Sequence, residues 1–136
     1  MITRRHLLAS LAGVSVSALA MGRAMALEFI DYTGTELDEL AASGAPYVIN
    51  FHATWCPTCA AQQRVLDALQ KESAAYAAIP ILRVDWDEYG NSDLARDMAI
   101  PRRSTLVLMR GETELGRLVA ETRKERIAGL LDLASS

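Results

Sequence analysis

The chain has 136 residues, of which 51% are apolar and 23% charged, with 8 Gly and 4 Pro. This composition excludes a disordered tail, a collagen-like fibre and a low-complexity linker, and the length allows one domain of ordinary size. A formal net charge of −3 argues against a nucleic-acid-binding surface. Two cysteines are too few for a scaffold stapled by disulfides, so their close spacing needs another explanation.

Residues 1–26 have the features of a cleavable export signal. Arg4 and Arg5 give a positive start, and the uncharged stretch 7–22 is too short for a hydrocarbon core of ~30 Å. A small-x-small motif that signal peptidase accepts then ends at Ala26. The paired arginines resemble the twin-arginine export motif of bacteria. We therefore expect cleavage after Ala26 and a periplasmic protein, with an uncleaved membrane anchor as the alternative.

The first half of the remaining chain predicts a helix, a strand and a second helix. No repeat, linker or low-complexity run divides residues 27–136, so one domain is expected there. Apolar residues at helical spacing behind Thr35 predict a short first helix that ends near Gly44. The β-prone residues 47–52 predict a buried strand, and helical spacing then predicts a long helix over 56–77.

The second half alternates short strands with helices. Residues 81–86 predict a second strand, and Ser92 is placed to cap a short helix. Residues 105–109 predict a third strand, and residues 114–119 return antiparallel as a fourth after a turn at Gly111.

The last helix is signalled by Thr122 and Glu125, which together form a capping box. Its apolar face holds Ile127, Leu130 and Leu131. The order of elements demands a mixed sheet, with two parallel crossovers followed by a hairpin. We therefore expect an α/β fold, in which a central mixed sheet of four to five strands is flanked by helices on both faces.

A C-x-x-C pair, Cys56 and Cys59, stands where a predicted strand ends and a helix begins. At a helix N-terminus, unsatisfied N–H groups and the macrodipole favour a thiolate, which is the nucleophile in disulfide exchange. Pro57 suits the first turn, because its missing N–H would have had no partner there. We assign Cys56 as the nucleophile and Cys59, one turn further on, as the resolving thiol. Their disulfide is the expected redox group, and no other cofactor is expected.

Three other interpretations of the cysteine pair are weaker. A structural disulfide between Cys56 and Cys59 would close a loop too short to stabilise the fold much. A zinc site lacks ligands, because beyond the two thiols the mature chain offers only His52. Two ordinary core cysteines would not explain why the pair follows a strand and a tryptophan and encloses a proline.

The segment 55–59, W-C-P-T-C, resembles the W-C-x-x-C motif of the thioredoxin superfamily. The late strand 105–108 and the turn after it are similar to that family's T-L-x-x strand and hairpin. The resemblance covers essentially all of 27–136, and it implies a thioredoxin fold and a thiol–disulfide oxidoreductase that acts on proteins with disulfides. The Pro-Thr dipeptide is similar to that of the exported, membrane-tethered thioredoxin-like proteins of cytochrome c maturation.

Several positions depart from the family pattern. Asn50 stands where thioredoxins carry a buried Asp, and an amide cannot act as a base. His52 replaces a common Trp; it could shuttle a proton or merely fill the strand end. By register, Ser104 takes the place of the cis-proline, which would bring an N–H and a hydroxyl beside the sulfurs and make the site more permissive to metals. Arg102 and Arg103 flank this loop, either stabilising a thiolate or an acidic substrate or lying in solvent.

The leading hypothesis is an exported, monomeric thiol–disulfide oxidoreductase that keeps chosen thiols reduced. We expect a reductase, re-reduced by a membrane thiol donor, because the x-x pair lacks the histidine of strongly oxidising C-P-H-C sites. The alternative is a metal-binding or metallochaperone module that uses Cys56 and Cys59, with His52 or a second chain. A binding domain whose cysteine pair is vestigial is the third possibility.

Overall fold

The computed structural model describes residues 29–136, which form a five-stranded sheet with six helices. The strands are β1 Phe29–Asp31, β2 Pro46–His52, β3 Ile81–Asp85, β4 Thr105–Arg110 and β5 Thr113–Val119. The helices are α1 Glu36–Ala42, α2 Pro57–Glu72, α3 Ala74–Ala77, α4 Trp86–Tyr89, α5 Asp93–Asp97 and α6 Lys124–Asp132, before a 3₁₀ turn at Leu133–Ser135. No helix within the described residues is long and apolar enough to cross a bilayer. The predicted export signal, 1–26, lies outside them.

The sheet has the strand order β1-β3-β2-β4-β5. Strands β1, β3 and β2 are parallel, whereas β4 is antiparallel to β2 and to β5. The mixed sheet is confirmed, but β1 was not predicted, because three residues are too few to show a periodicity.

One predicted connection is wrong. The link from β3 to β4 reverses the chain direction instead of forming a second parallel crossover. The helices in that link, α4 and α5, have only 4 and 5 residues. At 1.5 Å per residue they are too short to carry the chain back along the sheet. Strand β4 therefore begins at the end of the sheet where β3 finishes.

Two predicted boundaries are corrected by local capping. The long helix predicted over 56–77 stops at Glu72, because Ser73 adopts an extended conformation and caps α3. Trp86 opens α4 instead of ending the strand, because the Asp85 carboxylate accepts the backbone N–H of Asp87 at 2.9 Å.

The capping predictions for the last two helices have opposite outcomes. Ser92 caps α5 as predicted, its side chain accepting the Ala95 N–H. The capping box at Thr122 is wrong, since the N-cap of α6 is Arg123 and makes no side-chain capping bond. The carboxylate of Glu121 instead accepts the backbone N–H groups of Thr122 and Arg123, which replaces the predicted box.

The two faces of the sheet bury separate apolar clusters, so the prediction of helices on both faces is confirmed. The cluster under α2 and α6 contains Val48, Leu66, Leu69, Ile81, Leu106, Leu108, Ile127, Leu130 and Leu131. The cluster on the opposite face, which packs against α1, α4 and α5, contains Tyr47, Ile49, Phe51, Leu82, Val84, Ala95, Val107 and Met109. Because successive strand residues point to opposite faces, Asn50 and His52 share the face of Val48.

Candidate active site

The cysteine pair lies at the start of α2. Cys56 is the N-cap and Pro57 the first helical residue, so the helix begins as the sequence predicts. The Cys56 Sγ accepts the backbone N–H of Cys59 at 3.2 Å, which turns an orphan donor of the first turn toward the sulfur. Cys56 keeps 2% of its surface exposed and Cys59 none. Both are free thiols, so the disulfide of the oxidised form stays a prediction.

Ser104, in the loop before β4, places its hydroxyl within hydrogen-bond distance of both sulfurs. Its Oγ lies 3.3 Å from the Cys56 Sγ and 3.0 Å from the Cys59 Sγ. A hydroxyl donates one hydrogen bond and accepts two, so this group can donate to a Cys56 thiolate while it accepts the Cys59 S–H. The hydroxyl that the register argument expected beside the sulfurs is therefore present.

The backbone of Ser104 is strained and firmly held. Its φ of +61° lies in the left-handed region, which costs a non-glycine residue about 1–2 kcal/mol. The Ser104 N–H donates to the Phe51 carbonyl at 2.7 Å, and the Ser104 carbonyl accepts the Ala120 N–H at 2.8 Å. All peptide bonds of residues 29–136 are trans. Strain of this kind persists where the surroundings over-determine the conformation, as they do here.

Gln62 anchors the Ser104 loop to α2 and was not identified from the sequence. Its Nε2 donates to the carbonyls of Ser104 and Glu121, at 2.9 Å each. Gln62 is fully buried and lies three residues after Cys59, on the same side of the helix. The sequence signal that could have identified Gln62 is a polar residue on the buried side of α2, because a buried amide needs hydrogen-bond partners.

Arg103 covers the site from outside. Its guanidinium carbon lies 4.4 Å from the centroid of the Trp55 ring, a cation–π contact. Trp55 is 56% exposed, and its Nε1 donates to both carboxylate oxygens of Asp87, at 2.9 and 3.1 Å. Arg102 instead donates its Nε–H to the Arg103 carbonyl. Of the two arginines considered from the sequence, Arg103 is the one that faces the site, and Asp87 was not anticipated.

The two thiols differ in how readily they lose a proton. Burial raises the pKa of Cys56, but hydrogen bonds with Cys59 and Ser104 and the nearby Arg103 guanidinium outweigh it, lowering that pKa from 9.0 to about 6. Burial and the hydrogen bond to Cys56 raise the pKa of Cys59. At neutral pH, Cys56 is therefore largely a thiolate while Cys59 keeps its proton, which equips the two for different steps.

Asn50 is completely buried on β2 and offers no base. Neither its Oδ1 nor its Nδ2 has a hydrogen-bond partner among the described residues, and the same holds for the Oε1 of Gln62. An amide cannot accept the proton of a thiol at neutral pH. The proton of Cys59 must therefore go to a group other than Asn50, such as solvent or the thiolate that leaves the substrate.

The groups that shift the pKa of His52 do not include either cysteine. His52 lines a groove of about 380 Å³ together with Arg83 and Asp85. Burial and the charge of Arg83 lower the pKa of His52, and Asp85 and Asp31 oppose them. In residues 29–136, no three His, Cys, Asp or Glu side chains gather where they could hold a metal. Nothing in this arrangement favours a metal site that joins His52 to the cysteines.

Comparison with known proteins points to one family. The profile of the family described as Thioredoxin matches residues 29–132. Thioredoxin H2-1 of Oryza sativa subsp. japonica is 33% identical over 90 residues, which are 65% of this chain and 61% of that protein. The chain thus spans about three-fifths of that relative's length. The thiol:disulfide interchange protein DsbE of Haemophilus influenzae is 47% identical over 38 residues, 28% of this chain and 21% of that protein.

Solved structures agree with the sequence comparisons. Trxlp from Edwardsiella tarda EIB202 superposes with a TM-score of 0.68 at 27% identity, covering 76% of this chain and 98% of that one. Because the family profile matches residues 29–132, which are most of the chain, the chain belongs to the thioredoxin family. It carries a C-x-x-C pair of the kind used by thiol–disulfide oxidoreductases.

Proposed function

We propose that the protein is an exported thiol–disulfide oxidoreductase that reduces disulfides in protein substrates, with Cys56 and Cys59 as its redox group. The observation that carries the proposal is the hydrogen-bonded thiol pair at the start of α2, in which the pKa of Cys56 is lowered and that of Cys59 is raised. Family membership supports the same chemistry. Export rests on the signal predicted in residues 1–26.

The first step is attack by the Cys56 thiolate on one sulfur of a substrate disulfide. The substrate S–S bond breaks, a mixed disulfide forms between Cys56 and the substrate, and one substrate thiolate leaves and takes a proton from solvent. Cys59 then loses its proton and attacks the Cys56 Sγ. The mixed disulfide breaks, the Cys56–Cys59 disulfide forms and the second substrate thiolate leaves. The substrate gains two electrons and, once both of its thiolates are protonated, two protons. The protein loses two electrons and the proton of Cys59, and solvent supplies the other proton.

Ser104 serves both steps. In the free protein its hydroxyl stabilises the Cys56 thiolate from 3.3 Å. Once Cys56 is in the mixed disulfide it carries no charge, and the same hydroxyl, 3.0 Å from the Cys59 Sγ, can donate to the thiolate that forms there. The hydrogen bond thus moves to whichever sulfur is charged.

The degree to which the Cys56 thiolate is stabilised supports the reductase direction. Strongly oxidising members of this superfamily hold a nucleophilic cysteine with a pKa of ~3.5, whereas thioredoxin itself has a value of ~7. A pKa of about 6 for Cys56 lies closer to the second. The reduced form therefore lacks the extra stabilisation that makes a strong oxidant. In this proposal the protein acts as a monomer, and a membrane thiol donor reduces its Cys56–Cys59 disulfide after each cycle.

The decisive experiment measures reduction of insulin or peptide disulfides by the protein with dithiothreitol as the donor. Cys56→Ser should reduce neither substrate. Cys59→Ser, reduced first and then mixed with substrate after dithiothreitol is removed, should still attack and accumulate a mixed disulfide visible by mass spectrometry. Circular dichroism of both variants controls for folding. Wild-type rates in Cys56→Ser would overturn the proposal.

Direction and location have tests of their own. Equilibration with a thiol–disulfide buffer should give a reduction potential near ~−270 mV for a reductase, whereas ~−120 mV would mark an oxidant. N-terminal sequencing of the protein from a bacterial periplasmic fraction should begin at Leu27. A protein that keeps residues 1–26 at the membrane would support the anchor instead.

A further inference from the structure

Arg103 is a cation at the nucleophile without a carboxylate of its own. It makes no ion pair among the described residues, and its buried Nε–H has no hydrogen-bond partner there. Arg64, Lys71, Arg102 and Arg110 make no ion pair among the described residues either, but Arg103 lies over Trp55, next to Cys56. Six basic side chains of the described residues do lie against a carboxylate, namely Arg83, Arg96, Arg117, Arg123, Lys124 and Arg126.

Arg103 is nevertheless held in place. Its guanidinium lies over the ring of Trp55, and Asp87 fixes that ring by accepting the indole N–H with both oxygens. Asp87 is thereby engaged with the indole instead of the guanidinium. Stacking uses the face of a guanidinium and leaves the donors at its edge available. The Nε–H of Arg103 is buried, so its terminal NH2 groups, beside Cys56, are the donors that a substrate can reach.

The acceptor that fits such an edge is a carboxylate. Its two oxygens match the parallel N–H donors of a guanidinium, and the charge-assisted bonds are short and strong. Trp55 directly precedes Cys56 and Ser104 directly follows Arg103, so a group bound at Arg103 lies beside the sulfur that attacks the substrate. The half-exposed indole adds an apolar surface for the neighbouring residues of a peptide.

We propose that Arg103 binds an Asp or Glu carboxylate near the disulfide of the substrate, and so makes the protein prefer acidic disulfide-containing peptides. The inference rests on the proposed function and deepens it by naming a substrate class. Arg103 is then a specificity-determining residue, while Trp55 and Asp87 are positioning residues that act through it.

The test compares three peptides with the same intramolecular disulfide, in which the residues flanking one cysteine are Glu, Gln or Lys. The protein with dithiothreitol should reduce the Glu peptide with a kcat/KM roughly 3–10-fold above that of the Gln peptide. The difference should lie mainly in KM and shrink as salt is added. The Lys peptide should be the poorest substrate.

Variants separate binding from the effect of Arg103 on the Cys56 thiolate. Loss of thiolate slows all three peptides alike, whereas loss of the carboxylate site changes only their ratio. Arg103→Gln should bring the ratio of Glu to Gln peptide near one, and Arg103→Lys should keep part of it. Arg102→Gln is the matched control, because Arg102 is the adjacent arginine and does not lie over Trp55; it should keep the full ratio.

Each outcome decides the inference. Equal kcat/KM values for the three peptides with the wild-type protein, or a preference that survives in Arg103→Gln, would overturn it while leaving the proposed function in place. The wild-type comparison does not depend on whether a variant folds. Failure to reduce any of the peptides would instead overturn the proposed function, and the inference with it.

Discussion

The central strand β2 presents two faces that differ in what they bury. Toward α1, α4 and α5 it presents Tyr47, Ile49 and Phe51, all at most 1% exposed and packed among apolar neighbours. Toward α2 and α6, Val48 is followed by Asn50 and then His52, so polarity rises toward the end of the strand where the cysteines lie. One face is built for packing. The other keeps polar atoms that have no partner within 29–136, which a core made only for stability would exclude.

The difference extends to the segments that meet at each face. Packing on the apolar face requires apolar side chains of suitable volume, and several residue types meet that requirement. At the cysteine end, Ser104 reaches the sulfurs from a separate loop with its backbone in a strained conformation. Substitutions on the apolar face should therefore change stability, while those around the sulfurs should change thiol chemistry.

The largest effect is expected from Ile49→Ala on the apolar face. Ile49 is fully buried, so the truncation should lower the free energy of unfolding by about 2–5 kcal/mol, because it removes buried methyl groups and leaves a cavity. Urea denaturation measures the change, with Ile49→Val, expected to cost about 0.5–1.5 kcal/mol, as the graded control. The apparent pKa of Cys56 should stay unchanged; a clear shift would show that the two faces are coupled.

A smaller effect of a different kind is expected from Ser104→Ala. Loss of the hydroxyl donor should raise the pKa of Cys56 from about 6 by up to about one unit, because a hydrogen bond to a charged group is removed. The rate of iodoacetamide alkylation against pH measures this. Since the thiolate reacts, the variant should be slower between pH 6 and 7 and should match the wild type at high pH.

Ser104→Gly is the matched control for this prediction. It also lacks the hydroxyl but relieves the positive φ, so it should shift the pKa of Cys56 equally while unfolding at a higher urea concentration than Ser104→Ala. A wild-type protein whose alkylation follows an ordinary thiol pKa of ~8.5 would contradict the thiolate assignment itself.

The smallest expected effect is a gain of stability in Asn50→Leu. The two side chains have the same branched shape, and the buried amide has no partner among the described residues, so the free energy of unfolding should rise by about 1 kcal/mol. Urea denaturation of this variant beside Ile49→Ala compares adjacent residues on opposite faces. A loss of stability would mean that the Asn50 amide is satisfied in solution and that the faces differ less than their side chains indicate.

The sequence predicted what local rules determine. Cys56 at the N-cap of α2 and Pro57 in its first turn follow from the requirements of a helix start, which neighbouring residues set. The apolar strands and the buried face of α6 likewise follow from periodicity. The capping box at Thr122 is wrong, although it is a local signal, because the adjacent Glu121 carboxylate accepts the Thr122 N–H that Glu125 would have bound.

Features that depend on distant segments could not be predicted in this way. The position of Ser104 was inferred only from family register, and its positive φ and two sulfur contacts arise from a loop that meets α2 in space. The contact of Arg103 with Trp55, and the choice of Asp87 as the indole's acceptor, depend on how β4 and α4 are placed around the site. No spacing along the chain encodes these contacts.

The two hydrogen bonds of Gln62 have a consequence for the far end of the chain. The Gln62 amide donates to both the Ser104 carbonyl and the Glu121 carbonyl. The segment that leads into α6 therefore helps to hold Ser104 at the cysteines, through Gln62. A truncation before residue 121 would remove the hydrogen bond between Gln62 and the Glu121 carbonyl. A chain truncated there would also lack the buried residues of α6, so it would lose stability together with the Gln62 contact that holds Ser104 at the cysteines.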